Sequence, residues 1–264
     1  MAKVTMDIPL TNKLGDYSLY KMKGVDKMII RRKGGPSKEQ IKNDPEFNRF
    51  RSSSSELSGA GKVGGLIMQT SKAINHLADH KYCGMLTKVC RAIQTMDPTN
   101  DPGKRSILLS EFGNMLAGVN FNEQQGIETV LKHLPEFTIS RNDCKATVIF
   151  PDLFPGINLA NPWKHPLYRL VLTLGNVQDM IYGSEGYDVA DPSVVQHKSK
   201  NISDWFSTGA VLPAQTMEVA LPNLTIPDSN ILVLSIGVQF GRLISNVMTE
   251  PVKKAGCAKI LGVG

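Results

Sequence analysis

Two kinds of hydrophobic spacing divide the chain. Between about 56 and 94, Leu57, Val63, Leu66, Ile67, Ile74, Leu77, Met85, Leu86, Val89 and Ile93 recur at intervals of three and four. That is the period of a helix with one apolar face, and Gly84 is expected to divide it in two. A further helix is expected over roughly 106–117. Past residue 118 the period changes to two. Leu232, Leu234, Ile236, Val238 and Phe240 alternate with Val233, Ser235, Gly237 and Gln239, and Tyr168, Leu170, Leu172 and Leu174 alternate with Arg169, Val171 and Thr173. Such alternation marks strands whose two faces have different surroundings. Shorter strand candidates are 136–140, 144–150, 215–221 and 257–262. No helical pattern lies between these strands, which disfavours a parallel α/β sheet.

The N-terminal part has its own punctuation. Residues 17–33 read as a β-hairpin or extended arm, with Gly24 to Asp26 as turn and Met28-Ile29-Ile30 as a β-prone run. Gly34-Gly35-Pro36 breaks the chain. Ser37, with Gln40 three residues on, is a capping-box signature for a short helix over 38–43. Asp44 then caps a restart at Pro45. Two long loops are expected, a proline-rich one over 151–166 and a polar one over 182–204. The pattern therefore predicts an α+β fold, with a helical N-terminal region followed by an antiparallel β-sandwich, Ig-like or related. The expected parts are a basic arm at 1–36, a helical region at 37–118 and a sandwich domain at 119–264.

Charge sharpens this picture. Residues 1–62 hold 13 Lys and Arg against 7 Asp and Glu, and the rest hold 17 against 17, so the whole net charge of +6 lies at the N-terminal end. Such a segment suits an acidic surface, a neighbouring subunit or nucleic acid. Arg31, Arg32, Lys33, Lys38, Lys42, Arg49 and Arg51, with Phe47 and Phe50, make 27–51 the candidate nucleic-acid segment. The opening residues have no apolar run after their lysine, and no stretch reaches the length of a membrane helix. The expectation is a chain made in the cytoplasm without membrane insertion; an extracellular or particle-associated role would need release without a signal peptide. The four cysteines are sparse and contain no CxxC, so buried free thiols are expected.

The run YKMKGVDKMIIRRKGGPSKEQIKNDPEFNRFR, followed by SELSGAGKVG, and the ending FGRLISNV…KKAGCAKILGVG together resemble a family of conserved hypothetical proteins of Bacteroidota. The resemblance covers both ends and implies that the two parts belong to one chain. It brings no catalytic residue with it.

Motifs for chemistry weaken when their context is checked. Residues 59–64 match G-x-G-x-x-G, but SSSSELS before them cannot be the buried strand that a dinucleotide site requires. The expected role is close helix packing. His76, His80, Cys83 and Cys90 fall on one face of an uninterrupted helix, yet His76 and Cys83 would stand about 10 Å apart along it, too far for one zinc. His76 with His80 could give a metal-dependent hydrolase two ligands, and this is retained as an alternative. No catalytic residue, cofactor or metal is assigned, so an enzyme is not expected. The reading is a structural or interaction protein, a self-assembling subunit whose arm (Tyr17, Tyr20, Met28, Ile29, Ile30, Arg31, Arg32, Lys33) meets a homo-oligomeric or other assembly partner. Nucleic-acid binding is the first alternative.

Overall fold

A computed structural model describes residues 15–21, 28–32, 34–222, 224–245 and 248–264. The chain forms two compact units, 1–51 and 52–264, so the expected helical region is shared between them. In the first unit, β1 (Tyr17–Lys21) pairs antiparallel with β2 (Met28–Arg32), Tyr17 opposite Arg32. The turn expected at Gly24 to Asp26 lies outside the described residues. Helix α1 (Lys38–Asn43) starts with the expected capping box: Ser37 Oγ accepts from Gln40 N at 3.1 Å, and Gln40 Oε1 accepts from Ser37 N at 2.7 Å. Asp44 caps the 3-10 turn Pro45–Phe47. The Arg51 guanidinium closes the segment by donating to the carbonyls of Ile41 and Asp44.

The second unit is layered. A five-stranded antiparallel sheet runs β12 (Thr249–Val263), β11 (Asn230–Leu243), β5 (Leu167–Gln178), β8 (Lys198–Ile202), with the short β9 (Phe206–Ser207) also on β5. A three-stranded antiparallel sheet runs β10 (Gln215–Ala220), β4 (Lys145–Phe150), β3 (Glu136–Ser140). Alternation assigns the faces. Leu232, Leu234, Ile236, Val238 and Phe240 of β11, with Tyr168, Leu170, Leu172 and Leu174 of β5, are buried in one core with Ala146, Val148 and Phe150 of β4. Each Val, Leu, Ile or Phe among them contributes about 1.5–3 kcal/mol by leaving water. The outward positions of β4, Lys145, Thr147 and Ile149, meet Ala220, Glu218 and Thr216 of β10, a mostly polar surface with a Lys145–Glu218 ion pair at 2.7 Å.

The opposite face of the five-stranded sheet is also buried. Val171, Val177, Ile231, Val233, Ala258 and Ile260 pack under helices α2 (Asn48–Thr70) and α3 (Tyr82–Thr95). These helices turn inward Ala60, Val63 and Ile67, and Leu86, Cys90 and Ile93, at helical spacing. Strands β5 and β11 are therefore covered on both faces.

The helical stretch breaks at 71–81, and Gly84 sits inside α3. Polar side chains cause the break. Asn75 Nδ2 donates to the Met68 carbonyl at 2.7 Å, and Ser71 Oγ donates to Asn75 Oδ1 at 2.9 Å. Asp79 accepts from Lys81 N at 2.8 Å and Glu123 N at 3.0 Å. Such bonds offer the backbone an alternative to the helix. The helix expected over 106–117 shrinks to α4 (Leu109–Phe112) and a 3-10 turn, Gly113–Leu116. Ile107 is held instead in a β-bridge to Met180, and Asp179 accepts from Ser110 N and Oγ. The loop expected over 182–204 contains most of a hairpin, β6 (Met180–Gly183) with β7 (Gly186–Val189), and then β8. The outer edge of β12 near 257–262, a natural place for an added strand, is occupied by residues 118–121: Ile260 N donates to Val119 O and Phe121 N to Ala258 O.

Candidate functional site

The hairpin of the first unit is the sequence-predicted interaction element. Register puts Tyr17, Leu19, Ile30 and Arg32 on one face and Ser18, Tyr20, Ile29 and Arg31 on the other. Tyr17, Tyr20 and Ile30 are 47%, 40% and 49% exposed. Ile29 is half-buried, and Arg31 and Arg32 are exposed. Met28 stands opposite Lys21 in the ladder, and Lys33 lies outside the described residues. Both faces thus carry apolar groups, with the arginines grouped at one end.

The glycine motif lies in the middle of α2, where backbone N–H groups are spent within the helix and cannot cradle a phosphate. Its use is packing. A Cβ on Gly59 would come within 2.7 Å of the Tyr187 ring, whereas Gly61 faces open space. Lys62 Nζ donates to the Tyr187 carbonyl at 2.6 Å. Gly61→Ala is therefore expected to stabilise the protein by about 0.5–1 kcal/mol through helix propensity, and Gly59→Ala to destabilise it by about 1–3 kcal/mol through overpacking. Urea melts of the two variants check this opposition of sign; a shared sign would refute it.

Beside that contact, Glu56 of α2 is 2% exposed and carries a polar network. Its Oε1 accepts from Arg105 Nε at 2.7 Å and Gly103 N at 2.8 Å, and its Oε2 accepts from Arg105 Nη2 at 3.1 Å and from Arg91. Gln94 and Tyr187 complete the network on the Arg105 carbonyl. Burial alone raises the carboxyl pKa, but the bonds from Arg105, Gly103 and Arg91 outweigh it and hold Glu56 at about 2. Asp97 is treated likewise: burial raises its pKa, while donors from Asn100, Thr99 and Ser106 pull it well below the ordinary range. These carboxylates fix the 97–106 loop onto the helices. Their oxygens are taken up by donors, and nothing in the arrangement makes either a general base.

The break at 71–81 also removes the common His and Cys face. His76 places Nε2 against the Gln239 side-chain amide, Cys83 is exposed and Cys90 is buried, its thiol pushed up to about 12 by burial. Among the described residues, no group of three His, Cys, Asp or Glu side chains could hold a metal ion. Burial and the charge of Arg169 lower the His76 pKa, against a backbone hydrogen bond at Ala73. Arg169 in turn donates from Nε to Gln239 Oε1 at 2.8 Å and lies over the Trp205 ring, Cζ 4.5 Å from its centroid. No short motif marks this cluster in the sequence, because its members come from four distant segments. The one trace in the sequence is a pair of polar residues, Arg169 and Gln239, in alternating strands.

An open groove of about 740 Å³ separates β8 and β9 from β10. Asn201, Asp204, Gln215 and Glu218 line it, and Asn201 Nδ2 clasps its two sides by donating to the Glu218 carbonyl at 2.7 Å. No helix among the described residues is long and apolar enough to cross a membrane. No protein-family model, curated protein or solved structure matches this chain.

Proposed function

We propose that the protein is an interaction subunit that self-associates, with the β1–β2 hairpin as its docking element. The observation that carries this reading is the hairpin itself: two strands alone are marginal in water, yet Tyr17, Tyr20 and Ile30 stay exposed on its two faces. Large exposed aromatics beside arginines are the composition of interface anchors. Under the same reading, the two sheets that share a core form a sandwich, Ig-like or related, with a helical layer added on one side. The outer edge of β3 and the groove flanked by β8 and β10 leave strand edges for an incoming chain.

Deleting residues 1–33 tests the proposal. Full-length protein is expected to be oligomeric in size-exclusion chromatography with light scattering. The truncated chain is expected to keep its cooperative melt and become monomeric. Monomeric full-length protein at high concentration, or unchanged association after truncation, refutes the docking role.

One observation favours a second reading, nucleic-acid binding. Phe50 is 57% exposed beside the exposed Arg49, with Lys38 and Lys42 also free of ion pairs among the described residues. Purified protein with a raised 260/280 nm absorbance ratio that falls in strong salt would move the assignment to this reading.

A further inference from the structure

Arg169 is placed unlike the other partly buried arginines. It stands on β5, on the face that the helical layer covers elsewhere. Arg51 spends its terminal nitrogens on the Ile41 and Asp44 carbonyls and on Asn48 Oδ1, Arg141 spends its own on the Asn230 and Pro227 carbonyls, and Arg91 and Arg105 share Glu56. Arg169 spends only Nε, on Gln239. Among the described residues its Nη1 and Nη2 have no hydrogen-bond partner, and no carboxylate forms an ion pair with it. Burial lowers its pKa.

The side chain is nonetheless fixed. Trp205 lies under the guanidinium, and Gln239 holds Nε while reaching His76 with its amide nitrogen. Gly241 makes room for the indole: a Cβ there would come within 2.5 Å of the Trp205 ring. A glycine, an indole and an amide thus orient one cation whose outer two nitrogens are unused. A guanidinium held this way presents a planar fork matched to two oxygens of one oxyanion.

We propose that Arg169 anchors an oxyanion-binding site, in which Nη1 and Nη2 take two oxygens of a phosphate or carboxylate group, and Trp205, Gln239 and Gly241 set the plane of the fork. The proposal is independent of the hairpin, since all its residues belong to the second unit.

Thermal melting of the full-length protein tests it, with inorganic phosphate and acetate titrated separately and ionic strength held constant with sodium chloride. The wild type is expected to show a saturable rise in Tm with at least one anion, by linkage of binding to folding; which one responds identifies the group. Arg169→Gln is expected to lose the response. Arg169→Lys, which keeps the charge without the fork, is expected to bind about tenfold more weakly. No saturable response in the wild type overturns the site, as does an equal response in Arg169→Gln. Should the glutamine variant not fold, a lysine variant that responds as strongly as the wild type overturns it.

Discussion

Glu56→Ala is expected to destabilise the protein by about 3–5 kcal/mol, the cost of leaving buried charges without their partner. Arg91 and Arg105 would remain 27% and 20% exposed with no carboxylate, and Gly103 N–H would lose its acceptor. The effect carries a pH signature. The folded carboxyl sits at about 2 against an ordinary 4.5, so the folded state holds the charged form more tightly than the unfolded chain does. The stabilisation is therefore fully present above about pH 4.5 and is lost as pH falls towards 2. Asp97 titrates below its ordinary range as well, so the useful quantity is the difference between wild type and variant in chemical denaturation at several pH values. That difference should be largest at neutral pH and shrink in acid. A difference below about 1 kcal/mol at pH 7, or one independent of pH, would show that the network is not what holds the 97–106 loop.

The second large effect belongs to Gly256. It lies opposite Gln239 where the β11–β12 ladder shifts register, with φ +149°. A Cβ there would stand 2.3 Å from the Val238 carbonyl oxygen and 2.9 Å from the Leu77 side chain. The first obstacle is backbone and cannot rotate away. Gly256→Val combines overpacking with a strained backbone, each about 1–3 kcal/mol, so a loss of about 2–6 kcal/mol is expected. A thermal melt or the yield of soluble protein reads it. A variant within about 0.5 kcal/mol of wild type would mean that the bulge can reorganise.

The strands were legible because alternation in β11 and β5 is long and regular, and the faces follow from it: Leu234 points to one core and Val233 to the other. Alternation does not say what covers the second face, and the helical layer over Val233 and Ile260 was not readable from spacing. The capping box at Ser37 and Gln40 is legible because its chemistry is complete within four residues. The break at 71–81 was hidden, since it depends on Asn75 and Asp79 finding carbonyls and amides brought to them by the fold. Gly84 attracted the boundary by composition alone. The hairpin strands were visible in Met28-Ile29-Ile30, whereas the Arg169 cluster needed β5, β11, His76 and Trp205 to be assembled first.

The pairing of the sheets also governs the order in which the molecule can form. Thr147 pairs with Glu218, and Val171 with Gly237, so the central ladders of the second unit join stretches far apart in sequence, while among its described strands only β3–β4, β6–β7 and β11–β12 close as hairpins. Ladders of that kind are slow to form, because the chain between them must be confined before any contact rewards it. Helices α2 and α3 precede every strand of the sheet they will cover. Val63, Ile67, Leu86 and Ile93 share their core with Val171 of β5 and Val233 of β11, whereas the Glu56–Arg91 pair joins the two helices without any residue of a strand. An ionic clasp between the helices thus needs no part of the sheet that they cover.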